Sequence, residues 1–121
     1  MADEPLFLGV EHVGLYSDEG KGNAQQVVDW YKNLFGFEAK EGNSSFFVAG
    51  PGAGRLEILK APSPERCHVA IEVSDFDKAV EALRAQGIEF ETPKGGGSVR
   101  GIFLKQRDPT GNLVHLFWQA K

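Results

Sequence analysis

A chain of 121 residues, 41% hydrophobic and 25% charged, has the length and balance of one globular domain spanning 1–121, not of a disordered segment. Its formal net charge of -4 offers no broad positive field, so no nucleic acid and no anionic membrane surface is expected as partner; a small molecule or another protein is. The single cysteine, Cys67, excludes an intrachain disulfide and suits a reducing compartment. With an acidic start over Met1 to Pro5 and no apolar run near the roughly 20 residues that span a bilayer, a cytoplasmic protein is expected.

Taken in chain order, the first motif is His12-Val13-Gly14-Leu15, which returns later as His68-Val69-Ala70-Ile71. Each copy opens a strand and is followed by a helical pattern. In the first copy Val27, Trp30, Tyr31, Leu34 and Phe35 recur at helical spacing, which predicts a helix over 24–35 with these residues on its inner face and Gly36 as its stop. Strand-like runs follow at 37–40, 45–49 and 55–59, broken by Gly42-Asn43 and by 51–54. Pro62 and Pro64 mark 61–66 as a linker. In the second copy Ser74 or Asp75 caps a helix whose stripe is Phe76, Ala79, Val80 and Leu83, and Gly87 closes it. Strands are then predicted at 88–91, 102–106 and 112–118, with Gly95-Gly96-Gly97 and Asp108-Pro109-Thr110-Gly111 as breaks. The chain is therefore α+β, two βαβββ modules at about 7–60 and 67–119. Neither is long enough to bury a sheet face alone, so modules must pack together, within a chain or between chains.

The repeat also organises the chemistry. His12 and His68 share one position of the first strand in each copy, and Glu57 and His115 share one position of the last. The separations are 45 residues in the first copy and 47 in the second. Alternation along a strand puts the apolar neighbours, such as Val13, Leu56, Val69 and Leu116, on the opposite face from these four polar residues. The polar four then line the concave side of a curved mixed sheet. Imidazole and carboxylate are good ligands for a divalent first-row ion at about 2.0 to 2.2 Å, and Zn, Ni, Mn and Fe all accept such a set.

On His12-Val-Gly, Trp30-Tyr31 with Leu34, Gly36 and Phe37, Leu56-Glu57, His68-Val-Ala and Asp108-Pro-Thr-Gly-Asn-Leu-Val-His115, the chain resembles the vicinal oxygen chelate superfamily. That group includes glyoxalases, methylmalonyl-CoA epimerases, extradiol dioxygenases and the fosfomycin- and bleomycin-resistance proteins. The resemblance implies paired βαβββ modules forming a metal-binding cleft, often completed in a homodimer, with ligands falling on His12, Glu57, His68 and His115. Catalytic members usually carry glutamate at the last of these positions, where this chain has His115. Glu57 is then the carboxylate left for proton transfer.

The resemblance implies a divalent-metal-dependent, glyoxalase-like lyase or isomerase acting on a small molecule with two neighbouring oxygens. An extradiol-type dioxygenase and a non-enzymatic antibiotic-binding protein, with contacts from Phe46, Phe103 or Phe117, are the alternatives. Arg55 and Phe117, beside ligand positions on the same face, are expected to touch substrate, with Phe117 alternatively only filling the cleft wall. Lys94 or Arg100 either meets an anionic substrate from a lid or belongs to a solvated hairpin. Glu72 is expected at the rim and Cys67 as a buried thiol on the helix side.

Overall fold

A computed structural model describes residues 5–18 and 20–120. Among them are the strands β1 (Phe7–Tyr16), β2 (Glu38–Glu41), β3 (Ser45–Ala49), β4 (Arg55–Leu59), β5 (His68–Val73), β6 (Lys94–Gly96), β7 (Val99–Phe103) and β8 (Leu113–Gln119). The helices are α1 (Ala24–Phe35) and α2 (Phe76–Arg84), with a 3-10 turn at Pro64–Arg66 inside the predicted linker. Around the second half of β1 the strand order is β2-β3-β4-β1, with parallel and antiparallel neighbours, and around its first half it is β1-β5-β8-β7-β6. Contacts divide the chain into two compact units: His12–His68, and the chain up to Glu11 joined with that from Val69 onward. The division therefore falls inside β1 and at the start of β5, not in the linker.

In the unit His12–His68, β1 runs parallel to β4, with His12 beside Arg55 and Gly14 beside Glu57. Antiparallel ladders add β3, where Phe47 faces Glu57, and β2, where Lys40 faces Phe47. One face packs on α1 through a core of Ala24, Val28, Val48 and Ile58, flanked by Leu15, Tyr31, Phe46 and Leu56. α1 holds its predicted span. Asn23 and Gln26 exchange side-chain and backbone bonds in a capping box, and Gly36 ends the helix at φ 69, a conformation glycine enters without steric cost. The inner face differs from the expected one. Ala24 and Val28 are buried with Val27 and Tyr31 beside them, while Trp30, Leu34 and Phe35 are 55%, 61% and 56% exposed.

In the other unit, α2 packs on β5, β7 and β8 through Val73, Phe76, Ala79, Val80, Ile102 and Leu116. Asp75, the second of the two cap candidates, accepts a bond from the Lys78 backbone. The start of β1 is tied to the end of β5, since Ser74 donates from its backbone to Leu6 and from its hydroxyl to Pro5. The strands after α2 are placed differently from the sequence expectation. The triglycine run, read as a break, is part of the β6–β7 hairpin. The stretch 88–91 makes one isolated bridge, Phe90 with Leu104. Pro93 explains the interruption, because it brings no N–H to a ladder.

Candidate metal centre

Three of the four predicted ligands converge within the unit His12–His68. The parallel pairing of β1 with β4 puts His12 and Glu57 on one face, opposite the α1 core. The Glu57 Oε1 atom lies 3.7 Å from His12 Nε2 and 3.6 Å from His68 Nε2. Both rings are buried, 4% and 5% exposed, and meet edge to face at 5.5 Å. The Nδ1 atom of His68 lies 3.2 Å from the Arg66 carbonyl. With its proton on Nδ1 donated to that carbonyl, the ring presents Nε2 as its lone-pair nitrogen. This is the backbone tether commonly found behind metal-bound histidines.

The Ser45 hydroxyl donates to Glu57 Oε2 at 3.3 Å, fixing the carboxylate from the side away from the rings. Burial pushes the Glu57 pKa up, but the His68 and His12 rings and the Ser45 bond push harder in the other direction, and the net shift is downward. Arg55 stacks its guanidinium over the Phe47 ring at 4.0 Å, on the same sheet face as Glu57.

Two further residues of this unit were not singled out from the sequence. Ser45 is one; Gly14 is the other. A Cβ at position 14 would overlap the His68 ring. Glycine inside a strand costs stability, and its use here is explained by the ring that lies against it. The signal available in the sequence was the glycine in His-Val-Gly itself, small where a strand favours bulk.

His115 belongs to the other unit. It sits on β8 opposite Phe103 of β7, with the two rings stacked at 4.5 Å and 14°, and Phe117 meets it edge-on at 6.3 Å. Phe117 is buried on the same strand face. Arg100 is placed differently from the expectation. Its guanidinium lies 4.2 Å over the Phe76 ring and bonds Asp77 at 3.2 Å, on the α2 side of β7, while Gly101 and Phe103 face His115. Strand alternation separates it from the His115 face. Lys94, by contrast, lies 5.5 Å from the Phe103 centroid. Glu72 accepts a bond from Gln119 beside a surface pocket shared with Trp118. Cys67 is a free thiol, partly exposed where a buried one was expected.

The model of the Glyoxalase/Bleomycin resistance protein/Dioxygenase superfamily matches residues 10–116. A curated relative, the mitochondrial methylmalonyl-CoA epimerase of Dictyostelium discoideum, is 30% identical over 118 residues, covering 78% of this chain and 70% of that protein. Among solved structures, methylmalonyl-CoA epimerase from Mycobacterium tuberculosis matches with a TM-score of 0.77 at 23% identity, covering 100% of this chain and 94% of that one. A Streptomyces coelicolor methylmalonyl-CoA epimerase in complex with 2-nitronate-propionyl-CoA matches with a TM-score of 0.71 at 20% identity, covering 95% and 99%.

Proposed function

The chain belongs to the glyoxalase/bleomycin resistance protein/dioxygenase superfamily, and from that premise we propose that it is a divalent-metal-dependent isomerase. Its substrate is a small acyl thioester whose exchangeable C–H lies between two carbonyl groups, the chemistry of the epimerase it resembles. The curated relative is an epimerase, so the isomerase is preferred to the lyase, oxygenase and antibiotic-binding readings.

One observation carries the proposal: a single carboxylate oxygen of Glu57 lies within 3.7 Å of two buried imidazole Nε2 atoms, one of whose rings is tethered behind by a backbone carbonyl. The donors within the unit His12–His68 fit a divalent ion, since His12 and His68 can each offer a ring nitrogen and Glu57 an oxygen, and the repeat proposes His115 as the further ligand. A bound ion would act as a Lewis acid toward the substrate's two oxygens and so lower the pKa of the neighbouring C–H.

The chain's own residues do the rest. Glu57, kept ionised by its neighbours, takes the α-proton at Oε1 when that oxygen is off the ion. The configuration inverts when a proton returns to the opposite face of the carbon from solvent or a second group. Ser45 holds Oε2 and with it the angle of the carboxylate. Arg55 supplies positive charge for an anionic group of the substrate, pre-oriented by its stacking on Phe47. Phe117 and Phe103 supply apolar wall beside His115. Arg100 takes no part, its charge being matched by Asp77. The active form is proposed to be a homodimer. No helix among the described residues is long and apolar enough to cross a membrane.

The test is solvent exchange. Protein reconstituted with Zn, Ni, Mn or Fe is incubated with methylmalonyl-CoA in deuterium oxide, and deuterium at the α-carbon is followed by NMR. Metal-dependent exchange that drops at least about 100-fold in Glu57→Gln and His68→Ala is expected. Exchange unaffected by chelation would overturn the metal requirement. Metal uptake without exchange would overturn the substrate class.

A further inference from the structure

We propose that Gly101 is a positioning residue for His115, and that the residue at this place in each half decides which ligand the last strand presents. The two hairpins share one register. In β3–β4, Phe47 faces Glu57 and Ser45 faces Leu59. In β7–β8, Phe103 faces His115 and Gly101 faces Phe117. Ser45 and Gly101 therefore occupy equivalent positions, each two residues before the phenylalanine opposite the ligand.

Their chemistry differs as their neighbours differ. Ser45 reaches Glu57 with its hydroxyl at 3.3 Å. At Gly101 a Cβ would fall on His115 Nε2 and within 3.3 and 3.4 Å of Cε1 and Cδ2. The ring has little room to retreat, with Phe103 stacked on it at 4.5 Å and the buried Phe117 edge-on. Nor does the backbone demand glycine, because Gly101 lies in the middle of β7 and is not among the glycines at positive φ. A glycine with ordinary strand geometry gives up strand propensity without conformational need. What it provides is space for an imidazole. Serine with glutamate and glycine with histidine are thus two matched solutions at one structural position.

The test is a four-protein cycle of wild type, Gly101→Ser, His115→Glu and the double variant, read in two ways. One is thermal unfolding of metal-free protein; the other is zinc affinity by competition titration, which rests on the ligand reading above. Gly101→Ser alone is expected to lower the Tm by roughly 5 °C or more and to weaken zinc binding about 10-fold or more. The double variant is expected to return to within about 3-fold of wild-type affinity and to recover most of the Tm, a non-additive result. Additive losses in both measurements would overturn the pairing. If wild type takes no zinc, the ligand reading fails and unfolding alone decides the pairing. If all four proteins bind zinc without coupling in either measurement, the pairing fails and the ligand reading stands. Should Gly101→Ser not fold, Gly101→Ala replaces it in the same cycle, because its Cβ alone meets the ring.

Discussion

His68 shows how little freedom the ring of one candidate ligand has. Its ring is held at Nδ1 by the Arg66 carbonyl, at its edge by His12 and Tyr16, and against its face by the bare backbone of Gly14. One added methyl group at position 14 must displace either the ring or the strand, and overpacking of this kind costs about 1–3 kcal/mol. Gly14→Ala is therefore expected to weaken zinc binding by about 10-fold or more and to lower the urea midpoint. Its α1 core on the opposite face of β1 remains untouched, so circular dichroism at low temperature should stay that of the folded protein. Wild-type zinc affinity in Gly14→Ala would mean that His68 is not a ligand, or that its position is not set by Gly14.

At the scale of elements, the turns that join the strands carry their own chemistry. Asp108 closes the loop before β8. Its Oδ1 accepts from the Thr110 backbone and hydroxyl and from the Asn112 backbone, and its Oδ2 from the Asn112 side chain. The Asn112 bonds, followed by those from Thr110, bring its pKa down from 3.8 to about 2. A folded pKa below the unfolded one means that ionised Asp108 adds stability above the unfolded value. That contribution fades as pH falls from about 3.8 towards 2. A carboxyl carbon-13 titration of Asp108 should give a midpoint near 2; a midpoint near 3.8 would mean that the four-bond turn does not persist in solution. At the start of α1, Asn23→Ala removes one partner of the capping box and should cost about 1 kcal/mol in urea unfolding. No change would mean that the helix start is held by packing alone.

These same elements show what the sequence carried. Both the span of α1 and the cap of α2 are local matters, written in Asn23, Gly36 and Asp75. The places of His12, Glu57, His68 and His115 on β1, β4, β5 and β8 were legible because the repeat and strand alternation set them independently of loop geometry. What escaped depended on neighbours distant in sequence. Trp30 and Leu34 follow helical spacing as well as Val27 does, but β3 and β4 cover the Ala24–Val28 side. Gly95 and Gly97, at φ 78 and 64, belong to a hairpin as readily as to a break. Gly14, Ser45 and Gly101 gain their meaning only from the side chains across the strand.

For the whole molecule, the exposed apolar surface is the feature a lone chain does not explain. Trp30, Leu34 and Phe35 stand out from α1, with Trp30 in ring contact with Tyr31 at 4.9 Å and with Phe35 at 6.0 Å, and Phe35 stacked on Phe37 at 5.6 Å. Contiguous apolar patches of this kind mark interaction surfaces more often than scattered exposed residues do. Within the proposed function the occupant is a second copy of the chain, and two-fold pairing would place the patch against its own equivalent. Light scattering behind size exclusion should give twice the 13.2 kDa chain mass at concentrations on the order of 10 µM or above. Trp30→Glu should shift that mass towards the monomer while leaving the far-ultraviolet spectrum unchanged. A wild-type monomer under these conditions would overturn the dimer. A dimer that survives Trp30→Glu would move the interface away from α1, and the exposed start of β1, with Phe7, Leu8 and Val10, would be the surface to change next.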